Sequence, residues 1–182
     1  MTTAHVNNDI NGVTKYARVC GELVPFVKNE DLTQYIKSNT DIDILGGTHE
    51  YGNYITLEPG ITIGDDVSIG DNSKIEEHSL IGSCVFIGKN VTITEGMLIG
   101  DPHGILSIPD DFDTKGIPQS PFITEICKRG NVLLISKENN LFVRVNGKNY
   151  SFEDIMGMLP SAKHEDFFNA YNYALDYLKE QA

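Results

Sequence analysis

The feature that most limits the fold of this chain is an aliphatic residue that recurs every six positions through its middle third. Isoleucine occupies positions 63, 69, 75, 81, 87, 93 and 99. Counting back by six extends the pattern to ten hexads over 45–104, each beginning with Leu, Tyr or Ile. Neither the 3.6-residue period of a helix nor the alternation of a plain strand keeps this phase for so long. The period therefore predicts a repeat architecture.

Each hexad has the composition of a short strand followed by a tight turn. The fifth position of one hexad and the first of the next lie two residues apart, so their side chains point to the same side of a strand. Glycine occupies the second position in seven hexads, and we attribute it to the positive φ that a sharp corner requires. Strands stacked about 4.8 Å apart would then form isoleucine ladders inside a solenoid. The inward fifth positions are Ile55, Ile61, Val67, Ser73, Ser79, Val85 and Val91.

The hexads "IGDDVS", "IGDNSK", "IGSCVF" and "IGKNVT" resemble those of the hexapeptide-repeat left-handed parallel β-helix family. The resemblance covers 45–104, about a third of the chain. It implies a mainly β protein built on a left-handed parallel β-helix solenoid, in which three hexads form one triangular coil, so that about three coils are expected. It also implies a homotrimer. Most members are acyltransferases that use acyl-CoA, with a histidine at a subunit interface as general base.

Glycine is absent from the second hexad position at Glu58, Glu76 and Thr94. These positions are eighteen residues apart, which is one coil in the family geometry, so we expect them to lie above one another on one corner. The residues that follow add further glutamates, with His78 beside them. Either water screens this edge, or the edge faces a partner subunit, a ligand or a cation. The candidate binding residues are then Glu58, Glu76, Glu77 and Glu95.

Two histidines are candidates for the general base, a role that suits an imidazole because its pKa is near ~6.5. His78 is at the fourth position of its hexad, an exposed start of a strand, where Glu76 and Glu77 are expected to orient it. His103, in "LIGDPHGIL", ends the last regular hexad. That segment resembles the closing turn of the family, but it lacks the usual basic residue. His49, at an inward fifth position, is expected to be buried with its hydrogen bonds satisfied.

The same fold also carries γ-class carbonic anhydrases, whose zinc takes three histidines. Only His78 lies within the central coils, so we reject that branch and predict no metal site. Asp110, Asp111 and Asp113 lack EF-hand spacing and are interpreted as a solvated loop. No permanently bound cofactor is expected, and acyl-CoA is the co-substrate if the protein is a transferase.

The repeat divides the chain into four parts. Residues 1–44 are an N-terminal cap segment with one strand, in "YARVCGELVPFV", and a helix capped by Asn29. The β-helix occupies 45–104, and three prolines with several acids make 105–121 a linker. Residues 122–182 form a small α+β domain ending in a helix.

The C-terminal domain is predicted to contain four short strands and two helices. Asn146-Gly147 predicts a hairpin turn of the primed type, and Ser151 with Asp154 predicts a capping box. The last helix, over 162–180, has an apolar stripe that either packs on the sheet or leaves part of its surface free to dock another protein. The stripe is Phe167, Phe168, Tyr171, Ala174, Leu175 and Leu178, and the docking surface would be Phe168, Tyr173 and Tyr177.

Charge and composition limit the partners. A net charge of −12 disfavours nucleic acid and anionic membranes, which need clustered Lys and Arg, and suits a basic protein partner. Three scattered cysteines, no secretion signal and no membrane span indicate a cytoplasmic protein. Two functions remain: a homotrimeric acyltransferase acting on a small acceptor, or a non-catalytic trimer that binds, inhibits or builds an assembly with another macromolecule.

Overall fold

The computed structural model describes residues 12–100, 104–137, 140–159 and 165–181. Its strands form three parallel faces stacked into a solenoid of about four coils, followed by an antiparallel sheet and two helices. The predicted parallel β-helix with a C-terminal α+β unit is therefore confirmed. The predicted number of coils, about three, is too low.

Each face of the solenoid is a sheet that takes one strand from every coil. Face A contains β1 (Lys15–Val19), β2 (Glu22–Phe26), β5 (Ile55–Leu57), β8 (Lys74–Ile75) and β11 (Thr92–Ile93). Face B contains β3 (Asp43–Ile44), β6 (Thr62–Ile63), β9 (Leu80–Ile81) and β12 (Leu98–Ile99). Face C contains β4 (Glu50–Tyr51), β7 (Ser68–Ile69), β10 (Val85–Ile87) and β13 (Leu106–Ile108).

The first-position aliphatic residues form the predicted ladders. On face B, Ile63 pairs with Ile81, and Ile81 pairs with Ile99. All three are fully buried, as are most fifth-position side chains between them. Burial of this much apolar side chain at close packing is the main stabilisation of the rod, because roughly 1.5–3 kcal/mol accompanies each fully buried aliphatic residue.

The first coil departs from the predicted register. Leu45 was predicted to be an inward first-position residue, but its side chain is 47% exposed. Ile44 is buried instead and pairs with Ile63, nineteen residues later, so the loop before β4 contains one extra residue. A one-residue slip reverses the side of a strand on which a side chain lies. The assignment of Leu45 to the core was therefore wrong.

The N-terminal segment extends face A as well as covering the end of the rod. The predicted single strand is a hairpin of β1 and β2, which turns at Cys20 and Gly21, both with positive φ. Strand β1 then pairs in parallel with β5. Helix α1 (Asn29–Asn39) follows, and its N-cap is Lys28. Asn29 does not cap the helix, because its Oδ1 accepts from the backbone N–H of Tyr51 at 3.2 Å.

Residues predicted to be a linker form much of the fourth coil. Strand β13 pairs with β10, and Thr92 forms a parallel bridge with Asp113. Phe112 and Ile123 are fully buried in the same core. The hexad pattern is lost here because Ile108 pairs with Ile87 after twenty-one residues rather than eighteen. Inserted residues hide the coil from a six-residue count.

The C-terminal unit has the predicted elements. An antiparallel sheet contains β14 (Glu125–Arg129), β15 (Val132–Lys137), β16 (Asn140–Val145) and β17 (Lys148–Ser151), followed by α2 (Phe152–Met158) and α3 (Glu165–Gln181). Asn146 and Gly147 both have positive φ at the predicted hairpin turn. Ser151 and Asp154 form the predicted capping box.

Polar side chains of the sheet bind the fourth coil. Lys137 is fully buried and donates to the carbonyl oxygens of Pro118 and Gln119, and burial lowers its pKa to about 8. Arg144 Nη1 donates to the carbonyl oxygen of Asp113 at 3.0 Å. The sheet is thus attached to the solenoid by hydrogen bonds to carbonyl groups of an irregular segment, which would otherwise lack partners.

Candidate functional site

Three hexads lack glycine at the second position. As predicted, their second-position residues lie on one edge of the rod, between faces A and B. We call residues 58–60, 76–78 and 94–96 the acidic corner. The backbone N–H of Glu58 donates to Ile75 O at 3.1 Å, and that of Glu76 donates to Ile93 O at 2.9 Å. Successive corner residues therefore follow one another along the rod, as predicted from their eighteen-residue spacing.

The other two edges show what second-position glycine does. We call residues 52–54, 70–72 and 88–90, together with 64–66 and 82–84, the glycine corners. A Cβ at Gly64 would lie 2.5 Å from the nitrogen of Ser83, and one at Gly70 would lie 2.5 Å from the carbonyl oxygen of Gly88. Of the seven second-position glycines, only Gly100 has a positive φ, at 145°. Our explanation from backbone conformation was therefore wrong, because glycine is needed where successive coils approach closely.

Positive φ falls instead on the fourth hexad position. At five of these positions the N–H donates to the third-position carbonyl of the preceding coil, as in Asn90 to Asp71 O at 2.9 Å. Asn, Asp and Gly adopt this conformation most readily, and several of the eight positions carry one of them. The eight are Tyr54, Gly60, Asp66, Asn72, His78, Cys84, Asn90 and Gly96.

His78 is one of these turn residues. Its φ is 57° and its N–H donates to Pro59 O at 3.2 Å, so it precedes the strand that begins at Leu80. Our placement of His78 at the start of a strand was wrong, but its predicted exposure is correct. The imidazole lies close to Gly60 of the preceding coil, where a Cβ would collide with the ring. Its ring nitrogens have no hydrogen-bond partner within the described residues.

A lysine that we did not single out reduces repulsion on the acidic corner. Lys74 Nζ lies 3.0 Å from Glu76 Oε1 and 3.8 Å from Glu58 Oε1. The hydrogen bond to Glu76, followed by the charges of the neighbouring carboxylates, raises the pKa of Lys74. Glu76 also accepts from the N–H of Glu95 at 3.2 Å. Glu58 and Glu76 are thus paired, and the pairing was missed because Lys74 belongs to the strand before the corner.

The fourth coil covers one end of the acidic corner. The Thr94 N–H donates to Thr114 Oγ1, and the two hydroxyl oxygens lie 2.8 Å apart. Gln119 Nε2 donates to Glu95 O at 2.8 Å and lies beside Gly96. Polar groups of the fourth coil therefore contact the backbone of this end of the corner, whereas the Glu95 residue stays exposed. The other candidate base, His103, lies outside the described residues.

The turn residues of the glycine corners have a structural role that we did not predict. Asp71 Oδ1 accepts from the N–H of Asn53 at 2.7 Å, and Asp66 Oδ1 accepts from that of Thr48 at 2.7 Å. Asp110 Oδ1 accepts from the N–H of Lys89 in the same way. These carboxylates connect each coil to the one before it. Asp110 therefore belongs to a corner rather than to a freely solvated loop.

His49 differs from its prediction in one respect. It is buried, as expected, and its ring stacks on that of Tyr51 with centroids 6.2 Å apart. However, neither ring nitrogen has a hydrogen-bond partner within the described residues. The expectation of satisfied hydrogen bonds was therefore wrong. Residue 49 contributes to the lining of a cleft of about 370 Å³ between α1 and the loop before β4, but the ring nitrogens themselves are buried.

The buried face of α3 differs in part from the apolar stripe predicted for this helix. Its buried residues are Ala170, Ala174 and Tyr177, whereas Leu178 is exposed. Tyr177 donates to Glu125, and burial raises its pKa to about 12. Tyr177 thus belongs to the core and is excluded from the predicted docking surface. Phe168 is 47% exposed.

The described residues contain neither a metal-binding cluster nor a helix able to span a membrane. No cluster of three or more His, Cys, Asp or Glu side chains in those ranges is arranged to hold a metal ion. None of the helices there has the length and apolar content that a bilayer crossing requires.

The stacked hexads, their three faces and their close-packed corners define a hexapeptide-type β-solenoid. Residues 60–95 match the sequence profile described as "Bacterial transferase hexapeptide (six repeats)". This segment of the solenoid is therefore similar to the bacterial transferase hexapeptide repeat family. Neither a curated protein nor a solved structure shows a significant match to the chain.

Proposed function

We propose that this protein is a homotrimeric acyltransferase that moves an acetyl or similar acyl group from acyl-CoA to the hydroxyl or amine of a small acceptor. The observation that carries the proposal is the state of His78. Its backbone is held in a turn, while its imidazole is exposed and has no hydrogen-bond partner in the described chain. A histidine in this state is free to accept a proton from a bound acceptor.

The chemistry requires one group to accept and then return a proton. The imidazole of His78 would take the proton as the acceptor oxygen or nitrogen attacks the thioester carbonyl. The carbon–sulfur bond then breaks, and the imidazolium would return the proton to the leaving thiolate. Glu77, next to His78 on the corner, would stabilise the imidazolium by its charge. A second subunit at the acidic corner would supply the rest of the site, with Glu58, Glu76 and Glu95 as further candidate contacts.

The test measures free thiol released from a panel of acyl-CoAs in the presence of small alcohols and amines. His78→Asn keeps a side chain that tolerates positive φ, so the fold should be unaffected. We expect the rate to fall ~10²-fold or more, as for loss of a general base. Cys84→Asn, at the same hexad position on a glycine corner, is the matched control and should retain full activity. An unchanged rate in His78→Asn would eliminate the role of His78.

The trimer is tested separately by light scattering. We expect a mass of three times the 20.1-kDa chain. A monomer in solution would contradict the assembly. Absence of thiol release with every acyl-CoA would contradict the transferase.

A second candidate, a non-catalytic trimer that binds a basic macromolecule, is favoured by the surface of the C-terminal helices. Met156, Phe168 and Leu178 are large apolar residues with 39–47% exposure on an acidic protein. Three copies would increase the strength of a weak contact. Titration with a lysine-rich peptide containing apolar residues tests this function. Phe168→Ser should weaken the binding, whereas Phe86→Ser, which changes an exposed phenylalanine on face C, should not.

A further inference from the structure

The amino group of Lys137, at the end of β15, is buried among acceptors that carry no charge. The whole residue is fully buried. Its Nζ donates to the carbonyl oxygen of Pro118, and it lies 3.4 Å from the carbonyl oxygen of Gln119 and 3.8 Å from Met97 Sδ. Burying an ammonium without a counter-charge is unfavourable, so the neutral amine fits this site better than the ammonium does.

The titratable groups on the surrounding elements do not supply the missing charge. Glu125 on β14 accepts from Tyr177 of α3, and Glu95 lies in the third coil on the acidic corner. Asn140, the partner of Lys137 on β16, does not titrate. In the described part of the chain, Lys137 has no carboxylate within ion-pair distance. Burial alone therefore lowers the pKa of Lys137, from its usual 10.5 to about 8.

The contact of Lys137 holds a residue of the acidic corner. The carbonyl group of Gln119 faces Lys137, while its side-chain Nε2 donates to Glu95 O at 2.8 Å. The carboxamide lies over Gly96, where an added Cβ would be 3.0 Å from Nε2. The imidazole of His78 lies over a glycine of its preceding coil in the same way. Lys137 thus connects the C-terminal sheet to the edge that carries the proposed base.

Two states of this contact differ in their preference for a proton. In the closed state Nζ is buried against Pro118 and Gln119, whereas in an open state it would be in water with the usual lysine pKa. Because the pKa is lower in the closed state, the full penalty of burial is present below pH ~8 and disappears as pH rises toward the usual value. A higher pH in this window therefore favours the closed state.

We propose that Lys137 is a positioning residue of the acidic corner, which acts through Gln119 and loosens its hold on that residue when it gains a proton. In the open state the carboxamide leaves Glu95 O, and the end of the corner in the fourth coil is no longer fixed. The consequence for catalysis rests on the proposed transferase function, since the same corner carries His78. The connection between Lys137 and Gln119 does not depend on that function.

The first test follows the methyl resonances of Met97 by NMR in the full-length natural chain, from pH ~6 to ~10. They are assigned by their loss in Met97→Leu. We expect them to titrate with a midpoint near pH 8, because Met97 Sδ contacts the amino group of Lys137. The titration should disappear in Lys137→Leu. It should persist in Glu138→Gln, which changes the next residue in the sequence, a residue outside the described ranges.

The second test measures the free energy of unfolding by urea denaturation at several pH values. Between pH ~7.5 and ~10.5 the unfolding equilibrium constant of the natural chain should fall ~10²-fold relative to that of Lys137→Leu, as the penalty of burial disappears. Lys148→Leu removes an exposed lysine of β17 and is the matched control. Its stability should follow that of the natural chain at each pH.

The third test asks whether Lys137 acts on Gln119. The carboxamide resonances of Gln119, assigned by their loss in Gln119→Ala, should shift in Lys137→Leu and stay unchanged in Lys148→Leu. If acyl-CoA is turned over, Lys137→Leu and Gln119→Ala should each lower kcat/KM by a similar factor, ~10-fold, and the double variant should be no slower. Absence of turnover would contradict the transferase alone, since the resonances still report the connection.

Three outcomes would overturn the proposal. The Met97 methyl group does not titrate, or titrates near pH ~10.4 as beside a lysine in water. The stability of the natural chain relative to Lys137→Leu does not rise with pH. The Gln119 carboxamide is unaffected by Lys137→Leu, which would make Lys137 a residue of the core without influence on the corner.

Discussion

The glycine corners and the acidic corner belong to the same rod, yet they tolerate different side chains. At Gly64 and Gly70 a Cβ would lie within 2.5 Å of the backbone of the next coil. At Glu58 and Glu76, which have the same place in the hexad, full side chains are accommodated and their N–H groups still bond to the next coil. The spacing of backbones at a corner, rather than the bend of the chain, decides where glycine is required.

The two kinds of corner also connect their coils differently. On the glycine corners, carboxylates such as Asp71 and Asp66 accept directly from backbone N–H groups of the preceding coil. On the acidic corner, Lys74 bridges carboxylates of two coils. Backbone contacts of the first kind have fixed geometry, whereas an exposed ion pair is screened by water and salt. Substitutions at the glycine corners should therefore lower the free energy of unfolding more than substitutions at the acidic corner.

The largest effect is expected from Gly70→Ala. The added methyl group would meet the Gly88 carbonyl, and a main-chain group of a stacked coil is unable to move aside without separating the coils. We expect the free energy of unfolding to fall by about 3 kcal/mol, measured by urea denaturation. Glu58→Ala is the control, since that position already holds a Cβ, and it should lose about 0.5 kcal/mol or less. Equal losses in both would contradict the role assigned to coil spacing.

An intermediate effect is expected from Asp71→Ala. This change removes the acceptor for the Asn53 N–H, and with it about 1 kcal/mol after allowance for the exposure of the carboxylate. Asp65→Ala is matched, because Asp65 is also at a third position but has no such bond within the described residues. Asp65→Ala should leave the free energy of unfolding almost unchanged.

The effect of Asp71 should also depend on pH. The hydrogen bond from Asn53 lowers the pKa of Asp71 in the folded state. Its contribution is present above the unfolded pKa, near ~3.9, and is lost as pH falls through the folded pKa. The stability difference between the natural chain and Asp71→Ala should shrink below pH ~4. A difference that persists in acid would show that the lost bond is not its cause.

The smallest effect is expected from Lys74→Met on the acidic corner. Loss of the ammonium leaves Glu58 and Glu76 facing each other, at a cost of about 0.5 kcal/mol in low salt. The pKa of Lys74 is raised in the folded state, so this contribution is present below the unfolded pKa and is lost as pH rises through the folded pKa. Denaturation in ~1 M NaCl should abolish the difference. Lys89→Met, which breaks only the pair with Asp71, is the comparison.

The candidate site was predictable only in part. The eighteen-residue spacing was sufficient to bring Glu58 and Glu76 to one edge. The same spacing did not reveal that Lys74 pairs with these glutamates. Lys74 belongs to a strand, and its ammonium reaches the corner only through the conformation of its side chain. The unpaired nitrogens of His49 were also not predictable, since hydrogen-bond satisfaction depends on neighbours that are distant in sequence, here residues of α1 and the loop before β4.

By itself, the sequence determined the repeat, the ladders and the elements of the C-terminal unit. These follow from periods and turn residues that act over a few positions: isoleucine every sixth residue, Asn146-Gly147, and Ser151 with Asp154. Only the tertiary structure decided that Ile44 replaces Leu45, that residues around Phe112 complete a fourth coil, and that second-position glycines make room for a neighbouring backbone. The physical reason is that these outcomes depend on distances between coils, and such distances exist only after the chain has stacked on itself.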